Sequence, residues 1–268
     1  MKVLVSVRSL EEVSPAMKGG ADIIDLKNPN EGSLGAAFPW VIKELRNYDK
    51  NMKLSVAIGD MPNLPGTASL SALGAAFCGA DIIKVGLRGP QNEEDGLFLL
   101  KQVVKAVKNY DPGILVVGAG YADSRNYNGI DPMKIPLVCK KAGTNFAMLD
   151  TLSKDGRTLF DFLNLTELES FVNEGHKLGL LCALAGSLKV EHIKTIHQLG
   201  TDVIGFRGAA CSENDRKLGV VTLDRVKKIM NTVKNLKDEN NPYFDNNKNK
   251  SYNNLIKNRV RKINYGKN

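Results

Sequence analysis

The stretch Gly19-Gly20-Ala21-Asp22 runs straight into Ile23-Ile24-Asp25-Leu26-Lys27, and Cys78-Gly79-Ala80-Asp81 runs in the same way into Ile82-Ile83-Lys84-Val85-Gly86. A glycine in the left-handed conformation ends a helix, and the Asp after it opens a short β-branched run. Lys141-Ala142-Gly143-Thr144 and Gln198-Leu199-Gly200-Thr201-Asp202 repeat the punctuation. Working outward from these four points, period-2 runs predict strands over 2–7, 22–27, 53–58, 81–86, 114–119, 145–150, 180–185 and 202–207. Amphipathic spacing predicts helices over about 9–19, 38–47, 67–78, 92–109, 131–142, 165–178, 189–199 and 222–236. A strand, a helix and a parallel strand demand a right-handed crossover. Eight such units in strict alternation predict a single closed (β/α)8 barrel, the TIM-barrel architecture. A doubly wound open sheet would leave units over.

Composition is that of one soluble globular domain, with 43% hydrophobic and 25% charged residues in 268. No apolar run approaches the roughly 20 residues needed to span a bilayer, and the N-terminal run is too short for a signal peptide, so a cytoplasmic protein is expected. The four cysteines, Cys78, Cys139, Cys182 and Cys211, contain no C-x-x-C pair and no His at zinc-ligand spacing. Buried reduced thiols are the expectation, with no metal. His176, His192 and His197 all fall in helical segments, which argues against a hydrolase triad.

The formal net charge of +8 is concentrated at one end. Residues 237–268 carry eight Lys/Arg against three Asp/Glu, and ten of the residues from 240 to 268 are asparagine. A catalytic domain over 1–236 is therefore expected, followed by a basic, flexible Asn/Lys-rich extension over 237–268. Within it, 254–263 (NLIKNRVRKI) has the spacing of a short amphipathic helix that could dock on the body or on another subunit, although a solvated tail is the plainer reading. No membrane or nucleic-acid partner is expected, and a homo-oligomer is.

Barrel enzymes carry their chemistry at the C-terminal ends of the strands. Strand 2 ends in Asp25-Leu26-Lys27, Asp60 follows strand 3, strand 4 carries Lys84, and strand 6 ends at Asp150 with Lys154 four residues on. Lys27, Lys84, Asp150 and Arg207 come from strands 2, 4, 6 and 8, and are expected to meet in one layer. Crowded cations and burial lower a lysine's pKa, and a neutral lysine forms a Schiff base with a carbonyl. A second lysine can move protons, and Asp25 and Asp150 can orient the amines or act as acid and base. The plainer reading makes Lys27 and Lys84 ion-pair partners that close the barrel top. Two lysines beside two aspartates on even strands favour chemistry. Lys154 lies in a turn-like Ser-Lys-Asp-Gly, where most lysines are merely solvated.

The loops after strands 7 and 8 are the usual phosphate site of this architecture. Here they hold Gly186-Ser187 and Arg207-Gly208, with glycines to admit backbone N–H groups and an arginine for a bidentate contact. Gly120, in Gly118-Ala119-Gly120-Tyr121, is a weaker candidate, and without a third glycine it does not indicate NAD. The loop 28–37 (NPNEGSLGAA) reads as a mobile cover for the expected nucleophile, and 60–66 (DMPNLPG) as a rigid rim.

Together ADIIDLKNPNEGSLGAAFPWVIKE, GADIIKVGL, GAGYAD, AMLDTLSKDGRTLFDF, CALAGSLKVEHI and GTDVIGFRGAAC resemble the (5-formylfuran-3-yl)methyl phosphate synthase family of methanofuran biosynthesis. The resemblance runs from about residue 2 to 236. It implies a lyase that condenses two molecules of glyceraldehyde 3-phosphate to 4-(hydroxymethyl)-2-furancarboxaldehyde phosphate, with loss of one phosphate and two waters and without a cofactor. It implies that Lys27, in D-x-K-N-P, is the Schiff-base residue and that Lys84, in I-K-V-G, is the proton acceptor. Asp25, Asp150 and Lys154 match functional positions. The alternatives are another Schiff-base aldolase or a sugar-phosphate isomerase on a phosphate-binding barrel, and a noncatalytic RNA-binding protein acting through its tail.

Overall fold

A computed structural model of the chain describes residues 1–238. Eight parallel strands close into one barrel in sequence order: β1 (Lys2–Val7), β2 (Ile23–Leu26), β3 (Leu54–Asp60), β4 (Ile82–Gly86), β5 (Leu115–Tyr121), β6 (Phe146–Asp150), β7 (Leu181–Leu184) and β8 (Val203–Phe206). β8 pairs back onto β1 with Val3 opposite Ile204. The helices are α1 (Val13–Lys18), α2 (Pro39–Tyr48), α3 (Pro65–Phe77), α4 (Glu93–Tyr110), α5 (Ile135–Ala142), α6 (Leu165–Lys177), α7 (Ile193–Gln198) and α8 (Leu223–Asp238). Every expected strand and helix is present. The expected helices at 9–19, 131–142 and 189–199 each open with a short 3-10 turn before the α-helix. Residues 60–66 are not all rim, because Pro65 is the first residue of α3, where a missing N–H costs nothing. α8 reaches Asp238, two residues past the expected end of the catalytic domain. The rest of the basic extension, including 254–263, lies outside the described residues.

The repeated punctuation has a physical purpose. Gly20, Gly79, Gly143 and Gly200 have φ between +75° and +102°, which only glycine adopts freely. Each delivers a side-chain acceptor just before an even-numbered strand. Asp22 accepts from the Val3 N–H (2.8 Å), Asp81 from Leu54 (2.9 Å), Asn145 from Val116 (3.0 Å) and Asp202 from Cys182 (2.8 Å). The odd strands begin with N–H groups at the barrel's lower rim, and these four Asx residues satisfy them.

Alternation along the strands makes two cores. Val3, Val5, Ile24, Leu26, Val56 and Ile83 face the helices. Leu4, Ile23, Ile82, Val117, Phe146 and Val203 fill the barrel itself. On the even strands the inward positions form three levels. Ile23, Ile82, Phe146 and Val203 make the apolar floor. Asp25, Lys84, Met148 and Gly205 come next, two residues on, and Lys27, Gly86, Asp150 and Arg207 lie at the mouth. Lys84 thus belongs one level below Lys27, not beside it. The reason is the stagger of a closed barrel, which places each position by its own register rather than by its nearness to the strand's end.

Candidate active site

The middle level holds a buried ion pair. Lys84 Nζ donates to Asp25 Oδ2 at 2.7 Å, and the two side chains are 2% and 0% exposed. Ser6 Oγ donates to the same oxygen and Ser55 Oγ to Oδ1, each at 2.8 Å. These hydroxyls are placed by strand register, since Ser6 and Ser55 flank Asp25 on β1 and β3. The carboxylate is therefore engaged on both oxygens, and its single charge is held for Lys84.

At the mouth, Asp150 takes a different partner. Lys154 Nζ donates to Asp150 Oδ1 at 2.7 Å and to Thr151 Oγ1 at 3.1 Å, and the Thr151 N–H caps the same carboxylate oxygen. Lys154 is not a solvated loop lysine. Asp123 accepts the N–H groups of Leu152 and Ser153, both at 2.7 Å, and so turns the loop back over its own strand. Burial pushes the Asp150 carboxyl up, but the ammonium groups of Lys154 and Lys27 outweigh it and hold the group well below the usual carboxylate range.

Lys27 is the lysine left over. It is 5% exposed, lines the cavity, and its amine has no hydrogen-bond or ion-pair partner among the described residues. Burial is the largest influence and lowers its pKa; Asp150 opposes this, while Lys84 and Lys154 add to it, and the result is about 7. At neutral pH roughly half of such amines are uncharged, on the order of a thousand-fold more than for a lysine at its ordinary value. Of three neighbouring lysines, two have carboxylates at 2.7 Å and Lys27 has none among the described residues.

The loop 28–37 is tied down over the mouth. Asp60 accepts the N–H groups of Ser33 (2.7 Å) and Leu34 (3.0 Å), and Ser33 Oγ donates to the Thr151 carbonyl at 2.8 Å. Leu34 is fully buried with the barrel interior. The Tyr121 hydroxyl donates to Asp60, and burial with the Asp60 charge raises its pKa. A register shift on β3 between Ala57 and Asp60 aims this aspartate inward. A Cβ at Gly32 would lie 2.1 Å from Asp60 Oδ2, so the loop requires glycine there.

A cavity of about 750 Å3 opens above these residues, lined by Lys27, Lys84, Asp150, Lys154, Gly186, Ser187, Arg207 and Gly208. Asp25 lies beneath it, fully buried. Two expectations change. Gly120 is absent from the lining and faces the helices, where a Cβ would approach Ile135 of α5 to 2.4 Å. Alternation on β5 sends Ala119 and Tyr121 inward and Gly120 out. Arg207 reaches the lining, but its guanidinium is fully committed. Nη1 donates to the Ser6 carbonyl at 3.0 Å and to Glu12; Nη2 donates to Glu12 at 3.0 Å and to the Gly219 carbonyl at 3.4 Å; Nε donates to the Arg216 carbonyl at 3.2 Å. All five N–H groups are used, so Arg207 pins the β8–β1 closure and has no donor left for a phosphate. Glu12, Ser6, Ser55 and Tyr121 are absent from the sequence-based candidate set, and Asp60 is noted there only by its place after strand 3, because their partners lie on other strands or turns and no local spacing marks them.

At the lower rim, His176, Cys182 and Asp202 bring ligand atoms within 4.8 Å of one another. His176 Nε2 lies 2.7 Å from Asp202 Oδ2, the oxygen that accepts the Cys182 N–H, and the Cys182 thiol contacts the Val172 carbonyl. These contacts close the barrel floor. All four cysteines are buried thiols. No described helix is long and apolar enough to cross a membrane.

A family model described as 4-HFC-P synthase matches residues 3–230. A protein of Methanococcus maripaludis (strain C7 / ATCC BAA-1331) named (5-formylfuran-3-yl)methyl phosphate synthase is 52% identical over 231 residues, covering 86% of this chain and 98% of its own length. The protein of that name in Methanocaldococcus jannaschii is 50% identical over 235 residues, covering 87% and 100%. Among solved structures, 3-hexulose-6-phosphate synthase from Salmonella typhimurium superimposes with a TM-score of 0.63 at 16% identity, covering 88% of this chain and 99% of its own. Phosphoribosyl anthranilate isomerase from Thermus thermophilus gives 0.56 at 13% identity, covering 88% and 100%. At such identities the structural likeness concerns the barrel fold alone.

Proposed function

We propose that this chain, which belongs to the 4-HFC-P synthase family, condenses two molecules of glyceraldehyde 3-phosphate into 4-(hydroxymethyl)-2-furancarboxaldehyde phosphate through a Schiff base on Lys27. It is a cytoplasmic carbon–oxygen lyase step of methanofuran biosynthesis, carried by residues 1–236 without a cofactor. The observation that supports it most is the unpartnered Lys27 amine, buried in the cavity with a pKa of about 7. The neutral amine attacks a triose carbonyl carbon, and water leaves as the iminium forms. The iminium is an electron sink, so the adjacent carbon loses a proton and the resulting enamine attacks the second aldehyde. Loss of one phosphate and of water then closes and aromatises the ring, and hydrolysis of the imine releases the aldehyde and restores the Lys27 amine. Lys84 moves protons during isomerisation and condensation, with Asp25 holding its ammonium. Lys154 and Asp150 form a second proton-carrying pair at the mouth.

The decisive experiment is product identification. Purified protein given only glyceraldehyde 3-phosphate is expected to release inorganic phosphate and develop a furan-aldehyde ultraviolet band. A hexose phosphate formed without phosphate release would instead identify an aldolase and overturn the proposal.

The pH dependence follows from Lys27. Deprotonation makes the nucleophile, so the rate of borohydride trapping should rise as pH increases through about 7 and level off above it. A lysine at its ordinary value would instead give roughly a tenfold rise per pH unit up to about pH 10. Trapping rates measured between about pH 6 and pH 10 distinguish the two shapes.

A further inference from the structure

Arg216 stands over the mouth on the segment between β8 and α8, and it lines the cavity. Its Nη2 donates to the Gly32 carbonyl at 3.3 Å, and it has no ion-pair partner among the described residues. Burial lowers the pKa of this guanidinium; Asp150 opposes that shift, and Arg207 adds to it. A half-buried guanidinium that lines the cavity with most of its donors unused is available to an anion there. Arg207, by contrast, has Glu12 as its own carboxylate.

The segment is built to hold Arg216 in place. Glu213 and Asn214 have φ of 54° and 58°, a left-handed conformation that side chains other than glycine adopt at a cost. Asp215 Oδ1 accepts the N–H groups of Lys217 (2.6 Å) and Leu218 (2.9 Å), and Asn214 Oδ1 accepts from Arg225 at 2.6 Å. The Arg216 carbonyl is fixed by Nε of the buried Arg207. A strained turn, a braced backbone and a side chain reaching across to the loop that follows Lys27 describe a preorganised clamp.

We propose that Arg216 binds the phosphate group of one substrate triose. This rests on the reading of the cavity as a triose-phosphate site. Two phosphorylated substrates require two anion sites. The glycine loops after β7 and β8 can hold one, and Arg216, facing the Asp150 side of the mouth, holds the other. Its bond to Gly32 ties that anion site to the anchored loop that follows Lys27.

The test compares wild type with Arg216→Gln and Arg216→Lys, using three probes. Inorganic phosphate binding, followed by calorimetry, should weaken about tenfold or more in Arg216→Gln and less in Arg216→Lys, which keeps a point charge. KM for glyceraldehyde 3-phosphate should rise more than kcat falls. Borohydride trapping by glyceraldehyde, which has no phosphate, should stay within about twofold of wild type. Unchanged phosphate affinity overturns the proposal. Equal loss with glyceraldehyde and its phosphate also overturns it, because Arg216 would then merely support the loop. If wild type makes no furan aldehyde, the proposed reaction fails, while the phosphate comparison still decides the role of Arg216.

Discussion

Lys27→Arg is expected to abolish both turnover and borohydride trapping, with a fall in turnover of on the order of a thousand-fold or more. Arginine keeps most of the length of lysine, but its charge is permanent where the Lys27 amine is about half neutral at pH 7, so the variant adds roughly half a positive charge to the mouth. Its guanidinium does not deprotonate in a protein, so it cannot form an iminium. Among the described residues Lys27 makes no ion pair that arginine would break, and it borders a cavity of about 750 Å3 with room for the larger head group. The folded state should therefore survive, and the loss should be chemical. The measurement is peptide mass mapping after reduction in the presence of glyceraldehyde 3-phosphate. Wild type should carry the triose adduct on the peptide containing Lys27, and the variant should carry none. Lys84→Arg separates the roles, since it should lose turnover while Lys27 is still labelled. A full-strength adduct on Lys84 or Lys154 in the Lys27→Arg protein would sink the assignment.

Asp25→Asn is expected to cost both activity and stability. The carboxylate is 0% exposed and its partner Lys84 is 2% exposed, so water cannot replace the lost charge. Removing one member of such a pair leaves a buried ammonium uncompensated, at about 3–5 kcal/mol. Against a typical domain stability of about 5–15 kcal/mol, that is a large share, and at this size it lowers the melting temperature by on the order of 10 °C. Pairing Asp25→Asn with Lys84→Met removes the orphaned charge. The double variant should regain much of the stability and none of the turnover. Thermal unfolding of the three proteins is the check. If the single variant melts with wild type, the middle level of the barrel carries no stabilising charge pair and the ion-pair account is wrong.

The repeated glycine punctuation was legible because ending a helix is a local need, whereas the acceptor role of the Asx residues appeared only in the structure, since each N–H they accept lies on the neighbouring strand 19 to 29 residues away. The same local character made Lys27, Asp25, Lys84 and Asp150 legible as inward residues, because alternation along one strand decides which face they take. Arg207 was visible as a residue at the right height and misleading as to its task. Nothing near it in sequence reveals that Glu12 lies across the β8–β1 seam. Gly120 was placed at the correct strand end and on the wrong face, by one residue of alternation. Arg216 sits in a loop with no periodicity, so only the fold shows that it lines the cavity.

The eight-unit order, the closed sheet and the set of charged residues at strand ends are written in the chain itself, since each follows from propensity, period and turn chemistry within one β–α unit. Which lysine goes without a carboxylate is settled only when the barrel closes. Lys84 meets Asp25, and Lys154 folds back on Asp150, because barrel stagger and the Asp123-braced loop bring those atoms to 2.7 Å. Lys27 is left desolvated and, among the described residues, unpaired. That difference is a matter of ångströms between chain segments far apart in sequence, and it separates the lysines held by a carboxylate from the one that is not.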